Sequence, residues 1–133
     1  MRYLFAAEIL AIHDRVVEET GGSLGVREEQ LLSSLAERPK SSFGGIEKFP
    51  TLFAKAASYL EATAHYHVFI DGNKRTALTV ASIFLRANGY NIILPVEEGE
   101  QFMVDVVVKK LSVEEIARWL EKNSSDRGLT SVR

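Results

Sequence analysis

One stretch of the sequence, residues 67–75, places a candidate base, a carboxylate and two cations within nine positions. It reads His-Val-Phe-Ile-Asp-Gly-Asn-Lys-Arg. Histidine is the side chain best suited to accept a hydroxyl proton near neutral pH, so His67 is the candidate catalytic base. A carboxylate beside phosphate groups commonly holds magnesium, so Asp71 is the candidate metal ligand. These residue types together point to chemistry on a phosphorylated small molecule.

The second half of the stretch is suited to binding an anion. A helix is predicted to begin at Asn73, and the first amides of a helix have no intrahelical partner. The helix dipole adds partial positive charge at the same place. Gly72 lets the chain approach an anion closely because it has no side chain. With the cations Lys74 and Arg75, these residues are predicted to form a polyphosphate site.

Each of these residues also has an ordinary explanation when it is taken alone. A single histidine is more often a core or capping residue, and an aspartate before Gly-Asn is usually a turn residue. No folding requirement calls for all of these types in this order, so the combination favours a function. Phe69 is expected to point into the core and anchor the loop. His65 and His67 form a His-x-His pair, but no third ligand stands at a metal-binding spacing.

The elements that must position this stretch are predicted to be helices. Apolar residues recur at helical spacing in six segments, which are residues 3–19, 27–36, 52–65, 73–87, 98–109 and 112–121. In the first segment, Phe5, Ile9, Ile12 and Val16 are expected to face the core. The segment 73–87 is apolar around most of its circumference, which predicts a central, most buried position. The predicted fold is therefore compact and all-α, with the motif loop leading into a central buried helix.

The segments between and after the helices are less regular. Residues 39–50 are rich in glycine, serine and proline, which predicts a loop or short hairpin. The second helix is expected to end before Arg38, because a residue preceding proline is disfavoured in helices. Residues 106–108 are three valines that suit a strand as well as a helix. Residues 1–122 are predicted to form one domain, and residues 123–133 a polar, flexible tail.

The composition excludes several classes of protein. The chain has 133 residues, a net charge of −2 and no cysteine, which rules out disulfides and thiolate metal sites. The near-neutral charge argues against direct nucleic-acid binding. No apolar run is long enough to span a bilayer, and the N-terminus lacks the pattern of a signal peptide. A cytoplasmic location and no membrane association are expected.

The motif His-x-Phe-x-Asp-Gly-Asn-Lys-Arg resembles the signature of the Fic/Doc (Fido) superfamily, in the variant typical of Doc toxins. The resemblance covers most of the chain, including Ile12-His13-Asp14, Gly21-Gly22, Leu31-Leu32, Arg38-Pro39, Phe43-Gly44-Gly45 and Asn88-Gly89. It implies that His67 deprotonates a target hydroxyl and that Asp71 holds Mg²⁺. It also implies that Gly72, Asn73 and Lys74 form an anion hole for ATP and that Arg75 neutralises the transferring phosphate.

The resemblance further implies how a target protein docks and which group is transferred. Phe43, Gly44 and Gly45 match a flap that binds an extended target peptide by strand pairing, although a plain surface turn is the alternative. The usual proline after the histidine is Val68 here, which is expected to relax the backbone. Lys74 replaces the glycine of AMP-transferring Fic proteins. In Doc-like members this lysine is associated with a reversed nucleotide, and hence with phosphorylation instead of adenylylation.

Regulation and partners follow from the same resemblance. Many Fic proteins carry an inhibitory Ser/Thr-x-x-x-Glu-Gly/Asn helix, but Arg38 follows Glu37 here and the pattern fails. A separate antitoxin of the Phd type is therefore expected, with elongation factor Tu as the first candidate substrate. An AMP transferase and a non-catalytic Fic-fold binding module remain alternatives. His13, Arg38 and Thr79 are secondary site candidates: His13 facing the site or solvent, Arg38 holding the flap or a phosphate, and Thr79 near the phosphates.

Overall fold

Six α-helices form the framework in the computed structural model, which describes residues 1–126 of the chain. The helices are α1 (Ala6–Thr20), α2 (Glu29–Glu37), α3 (Leu52–His65), α4 (Asn73–Ala87), α5 (Val96–Val108) and α6 (Val113–Lys122). Two small antiparallel pairs of strands accompany them: β1 (Ser42–Phe43) with β2 (Ile46–Glu47), and β3 (Tyr90–Ile92) with β4 (Ser124–Asp126). The predicted all-α class is confirmed, and the bounds predicted for α3 and α4 match those of the structure.

The most buried helix is α3, and not α4 as the apolar pattern predicted. Nine of the 14 residues of α3 are buried, compared with six of 15 in α4. Alanines let neighbouring helices approach α3 closely, and its buried polar groups have internal hydrogen-bond partners. The Tyr59 hydroxyl, for example, accepts from the Leu4 amide at 3.0 Å. Burial raises the pKa of Tyr59 to about 12, and the bond ties the N-terminal segment to the core.

The buried face of α1 differs from the predicted one. Ile9, His13 and Val17 are buried, whereas Phe5 is 70% exposed and lies just before the helix. The Glu8 carboxylate accepts from the Phe5 amide at 2.9 Å, which starts the helix at Ala6 instead of residue 3. The face is rotated because the polar His13 is a core residue, which an apolar pattern does not count. This rotation carries His13 toward the loop between α3 and α4.

A true hairpin occupies the segment predicted to be a loop or hairpin. As predicted, α2 ends before Arg38, and Arg38–Lys40 follow it as a short 3-10 helix that tolerates the proline. Gly44 and Gly45 form the turn between β1 and β2 with φ of 58° and 81°. A two-residue turn with both φ angles positive matches the twist of paired strands and favours glycine at both positions.

The C-terminal part of the described chain is more ordered than the sequence indicated. Residues 124–126 of the predicted flexible tail form β4 and pair with Tyr90–Ile92, while residues 127–133 lie outside the described residues. The valine run at 106–108 is helical and ends α5. The Ser112 capping box of α6 is confirmed: the Ser112 hydroxyl accepts from the Glu115 amide at 3.1 Å. Within residues 1–126, no helix is long and apolar enough to cross a membrane.

Candidate active site

The loop between α3 and α4 opens onto a cavity of about 530 Å³, which we call the motif cavity. Its lining includes the side chains predicted to do chemistry, together with three apolar neighbours; the full set is Ala64, His67, Ile70, Asp71, Gly72, Asn73, Lys74, Arg75 and Val107. His67, Asp71, Lys74 and Arg75 are exposed, whereas Gly72 is buried. A base, a carboxylate and two cations therefore share one concave surface at the N-terminus of α4.

The backbone of the loop is shaped by two residues of the motif itself. Gly72 has φ 78° and ψ 15°, the left-handed region that favours glycine. A side chain there would also crowd Val17 Cγ2 at 3.2 Å, so the backbone conformation requires glycine and the space around it favours one. The Asn73 side chain binds the Phe69 main chain twice: its Oδ1 accepts from the Phe69 amide at 3.1 Å, and its Nδ2 donates to the Phe69 carbonyl at 2.9 Å.

His13 supports the loop from behind. Its imidazole is fully buried and stacks on the Phe69 ring, with the ring centres 3.8 Å apart and 7° between the planes. Its Nε2 donates to the Asp71 carbonyl at 2.7 Å, and its Nδ1 lies 3.1 Å from the Asp14 carboxylate. His13 thus faces the site region instead of solvent, but it contacts the loop main chain and does not line the motif cavity. The expectation that Phe69 anchors the loop in the core is confirmed.

A second support holds the start of the loop. Val68 stands there, at the position where the resemblance described above puts proline in the family. The Arg27 amide donates to the Val68 carbonyl at 2.7 Å, and the Ile70 amide donates to the Gly25 carbonyl at 3.1 Å. The Arg27 guanidinium also donates to the His67 carbonyl at 2.8 Å. Val68 itself is fully buried. Main-chain pairing with residues 25–27 therefore restrains the backbone that a proline would otherwise stiffen, and it presents His67 with φ 52°.

The two cations of the site are held differently. The Arg75 guanidinium donates to the Thr20 hydroxyl and to the Gly21 carbonyl, the latter at 2.9 Å, so the end of α1 fixes its direction. Lys74 is exposed and makes no hydrogen bond or ion pair with any other described residue. Both cations sit in the first turn of α4, where the helix dipole disfavours positive charge. A bound anion would remove this unfavourable arrangement.

The Asp71 carboxylate is half-exposed and already organised by main-chain amides. Its Oδ1 accepts from the Gly72 amide at 2.8 Å, and its Oδ2 accepts from the Ser23 amide at 3.2 Å. Arg75 lies 3.8 Å from Oδ1. A side chain at Gly22 would meet Asp71 Oδ2 at 2.6 Å, so that glycine keeps the carboxylate accessible. Each oxygen accepts a single hydrogen bond from a described residue, and Asp71 lines the motif cavity, which fits a cation shared with phosphate oxygens.

The fit of Mg²⁺ depends on the donor set. Among residues 1–126, no three His, Cys, Asp or Glu side chains cluster to hold a metal by themselves. His65 and His67 therefore belong to no group of three such side chains in this part of the chain. Mg²⁺ in nucleotide enzymes is usually held by one or two carboxylates plus the substrate phosphates. A single Asp71 beside an anion site fits that mode of binding.

The hairpin carries exposed apolar side chains and is anchored only at its base. Phe43 is 90% exposed and Ile46 is 75% exposed, while Gly44 and Gly45 form the turn. At the base, the buried Lys55 ammonium donates to the Phe49 carbonyl at 2.6 Å, the Glu47 carboxylate at 2.7 Å and the Pro39 carbonyl at 3.3 Å. The exposed tip is suited to contact another chain.

Arg38 connects the hairpin base to the motif loop. Its guanidinium pairs with the Glu61 carboxylate at 2.6 Å and lies 5.4 Å from the Phe49 ring centre and 5.7 Å from that of Tyr66. Tyr66 directly precedes His67. Of the two expected roles, holding the flap agrees with this position, whereas Arg38 does not line the motif cavity. Arg38 thus contacts both the hairpin base and the residue that precedes the motif loop.

Thr79 does not point into the motif cavity. Its hydroxyl donates to the Arg75 carbonyl at 3.0 Å, one helical turn back, and the residue lines a neighbouring groove. Sequence reasoning missed three other supporting groups: the Thr20 hydroxyl, the Ser23 amide and Lys55. No local pattern marks them, because each acts on a residue at least eight positions away or through its main chain. In the sequence, only the Gly21-Gly22 pair indicates that the segment from Thr20 to Ser23 approaches the motif loop.

Comparisons with known proteins identify the family of the chain. Residues 3–85 match the model of the Fic/DOC family. The chain is 33% identical over 122 residues to the "Protein kinase doc" of Escherichia phage P1, which covers 92% of this chain and 95% of that protein. It is also 36% identical over 99 residues to the "Toxin Doc" of Mycolicibacterium smegmatis, covering 73% of this chain and 76% of that protein. All residues of the motif loop fall inside the matched family segment.

Proposed function

This chain belongs to the Fic/DOC family, and we propose that it is a Doc-like toxin that transfers the γ-phosphate of ATP to a Ser or Thr hydroxyl of a bacterial protein. The observation that carries the proposal is the motif cavity, in which His67, Asp71, Lys74 and Arg75 meet at the N-terminus of α4. A relative named a protein kinase supports the reaction type.

In the proposed reaction, His67 accepts the proton of the acceptor hydroxyl as its oxygen forms a bond to the γ-phosphorus. The bond between the γ-phosphorus and the β–γ bridging oxygen breaks, and ADP leaves with the electron pair. The exposed imidazole of His67 faces the cavity and is free to meet an incoming hydroxyl. General-base assistance of this kind contributes about 10²–10⁴-fold to rate.

The phosphates are held by the start of α4. The amides of Asn73 and Lys74 lack intrahelical partners. The Lys74 ammonium makes no hydrogen bond or ion pair with another described residue, so binding a phosphate would break no such contact. Arg75, directed by Thr20 and Gly21, spreads the charge that develops on the transferring group. Asp71 would hold Mg²⁺, which neutralises phosphate oxygens when it is bound.

The nature of residue 74 favours phosphate transfer over AMP transfer. Lys74 adds a positive charge and a long side chain, at the position where the resemblance given in the sequence analysis puts glycine in AMP-transferring Fic proteins. AMP transfer is the second candidate function. His67 and the phosphate cradle, which is the start of α4 with Lys74 and Arg75, would also serve that reaction if the nucleotide were bound in the reverse direction. A non-catalytic binding module is disfavoured, since the base, the carboxylate and both cations are all present in one cavity.

The partners follow from the family and from the exposed hairpin. The hairpin tip at Phe43, Gly44 and Gly45 is proposed to dock an extended segment of the target protein by strand pairing. Elongation factor Tu is the first target to test. A separate Phd-type antitoxin is proposed to silence the chain, and a relative named Toxin Doc supports a toxin–antitoxin pair.

Label transfer from ATP tests this function. The purified chain is incubated with elongation factor Tu, Mg²⁺ and ATP labelled at either the γ- or the α-phosphate. The proposal expects the acceptor to become labelled from γ-labelled ATP only, and His67→Ala to abolish that labelling. Transfer of the α-label would establish AMP transfer instead. Growth inhibition and label transfer that both persist in His67→Ala would exclude catalysis by this loop.

A further inference from the structure

His67, the proposed catalytic base, has a backbone conformation that a histidine rarely adopts. Its φ is 52°, in the left-handed region where a side chain crowds the backbone. Among residues 1–126 other than glycine, only His67 and Lys110 have a positive φ. Such conformations persist where the surrounding structure holds them in place. The contacts that hold the backbone of His67 therefore decide where its imidazole lies.

Lys110 shows how this conformation is ordinarily held. Both residues lie two positions after the last residue of a helix, His67 after α3 and Lys110 after α5. Glycine is common at this position, and a bond from the following amide back to the helix stabilises it. For Lys110 that bond is present, since the Leu111 amide donates to the Val106 carbonyl at 3.2 Å. The end of α5 thus accounts for the positive φ of Lys110.

The end of α3 is held in a different way. Within the described residues, the amides of His67 and Val68 donate to no carbonyl of α3. The carbonyls of both residues instead accept from Arg27, which lies between α1 and α2. The Arg27 amide donates to the Val68 carbonyl at 2.7 Å, and the Arg27 Nε donates to the His67 carbonyl at 2.8 Å. Arg27 thus provides the support that the helix end does not.

The Arg27 side chain has no other described role that would account for it. It is exposed, and its terminal nitrogens Nη1 and Nη2 make no hydrogen bond or ion pair with another described residue. A cation directly before Glu28, the N-cap of α2, also opposes the dipole of that helix. Neither ion pairing nor the start of α2 therefore calls for an arginine at this position.

We propose that the Arg27 side chain is a positioning residue for the catalytic base. Through Nε it holds the main chain of His67 in the left-handed conformation that directs the imidazole into the motif cavity. The inference rests on the proposed function, in which His67 accepts the proton of the acceptor hydroxyl. Arg27 does not line the motif cavity, so it acts on the substrate only through His67. This role requires a hydrogen-bond donor at the position of Nε, and it does not require a positive charge.

Two substitutions separate the donor from the charge. In glutamine the side-chain amide nitrogen follows Cδ, where arginine has Nε, so Arg27→Gln keeps a neutral donor at that place. In methionine a methyl group stands there, so Arg27→Met has no donor. Both variants retain the main-chain amide that donates to the Val68 carbonyl. They share the loss of charge and differ in the hydrogen bond to His67.

Single-turnover transfer of the γ-phosphate at saturating ATP and acceptor compares the variants with the parent chain. Arg27→Met should lower the rate by about 10- to 100-fold, since misplacement of about 1 Å can cost about 10²-fold. Arg27→Gln should stay within a few-fold of the parent rate. Titration should give an unchanged Kd for ATP in both variants, because the phosphate cradle keeps all its groups. Equal losses in the two variants would assign the effect to the charge and overturn the proposal, as would a parent-like rate in Arg27→Met.

The backbone of His67 gives a second readout that does not depend on activity. Its Cα chemical shift reports the backbone angles and is measured by NMR on the three chains. The parent chain and Arg27→Gln should share the shift of a left-handed residue, whereas Arg27→Met should depart from it. An unchanged shift in Arg27→Met would overturn the proposal even if the rate fell.

The two measurements keep this inference apart from the proposed function. A parent chain that transfers no γ-phosphate would contradict the proposed function, and the Cα shift would still decide whether Arg27 holds His67. A parent chain that transfers the γ-phosphate, with Arg27→Met equally fast, would contradict only the role of Arg27.

Discussion

The hairpin and the motif loop precede and follow α3 along the chain, and they are built in opposite ways. The loop is fixed from inside: His13 stacks on Phe69 and binds the Asp71 carbonyl at 2.7 Å, with an imidazole that is fully buried. The hairpin is fixed only at its base by Lys55, and its tip exposes 90% of Phe43. In the proposed function, the motif loop positions the reacting groups and the hairpin binds the protein substrate.

This difference follows from what each region has to do. Transfer chemistry requires a base and phosphate ligands held within a fraction of an ångström, and packed side chains provide that. Docking of an extended peptide requires unpaired main-chain groups and accessible apolar side chains. Changes in the loop should therefore lower the turnover of bound substrate. Changes in the hairpin should mainly weaken binding of the protein substrate.

The largest effect is expected for His67→Ala. Removing the base should lower kcat for phosphate transfer by about 10²–10⁴-fold, because no side chain then accepts the proton of the substrate hydroxyl. ATP affinity and thermal stability should stay close to those of the parent chain, since His67 is exposed. The measurement is single-turnover label transfer. His65→Ala is the matched control, and an equal loss in that variant would argue against a specific role for His67.

His13→Ala should be the next most damaging change, although the residue lies outside the motif cavity. Losing the stack on Phe69 and the bond to the Asp71 carbonyl should shift the loop, and misplacement of about 1 Å can cost about 10²-fold in kcat. Unfolding free energy should also fall, by roughly 1–3 kcal/mol for the unpaired buried carbonyl. Kinetics are measured well below the melting temperature of the variant.

Asp14, whose carboxylate lies beside the His13 ring, provides the control variant for His13→Ala. Asp14→Asn removes the carboxylate beside Nδ1 and leaves the stack and the Asp71 bond in place. Its kcat should therefore stay within a few-fold of that of the parent chain. If His13→Ala lost stability but kept normal kcat and normal Mg²⁺-dependent ATP binding, then His13 would serve folding alone.

Lys55→Met tests the base of the hairpin. The variant keeps the length of the side chain but leaves the Phe49 and Pro39 carbonyls without their buried donor. The expected cost in unfolding free energy is about 1–3 kcal/mol. The KM for the protein substrate should rise by roughly tenfold, while kcat and ATP affinity change little. A fall in kcat at saturating acceptor would show that the hairpin also shapes the catalytic loop.

Phe43→Ala probes the tip of the hairpin. Because Phe43 is almost fully exposed, its loss should change the unfolding free energy by no more than about 0.5 kcal/mol. The KM for the protein substrate should rise several-fold, and hydrolysis of ATP in the absence of acceptor should be unchanged. Leu24→Ala, at another exposed apolar residue, is the matched control. Equal KM for the parent chain and Phe43→Ala would remove the tip from the docking surface.

A small gain in stability is expected for Lys74→Ala. A cation in the first turn of α4 opposes the helix dipole, so its removal should stabilise the chain by about 0.3–1 kcal/mol at low salt. The same change should weaken binding of ATP and of inorganic triphosphate. Chemical unfolding and calorimetric titration measure the two effects. A Lys74→Ala chain that is both less stable and unchanged in triphosphate binding would contradict the proposed role of this lysine.

The sequence predicted the loop and its two flanking helices well, because that information is local. The bounds of α3 and α4 follow from helical periodicity, from Pro50 before one helix and from Gly89 after the other. The motif residues are adjacent in sequence, so their meeting in one cavity needed no tertiary information. The Gly44-Gly45 pair likewise indicates a tight turn.

What the sequence did not predict depends on contacts between distant residues. His13 and Asp71 are 58 positions apart. The apolar pattern of an amphipathic helix does not predict that a histidine in it is buried. A lysine in a helix is expected to be solvated, but the structure surrounds the Lys55 ammonium with three acceptors. The pairing of β3 with β4 is invisible in a polar segment such as residues 124–126.

The leaving group of the reaction tests the central claim most directly. The purified chain is incubated with ATP, Mg²⁺ and elongation factor Tu, and the products are separated and quantified against the modified acceptor. Transfer of the γ-phosphate across the cradle of Lys74 and Arg75 predicts one ADP for each modified acceptor and no pyrophosphate. One pyrophosphate for each modified acceptor, without ADP, would show that AMP is transferred and would contradict the account.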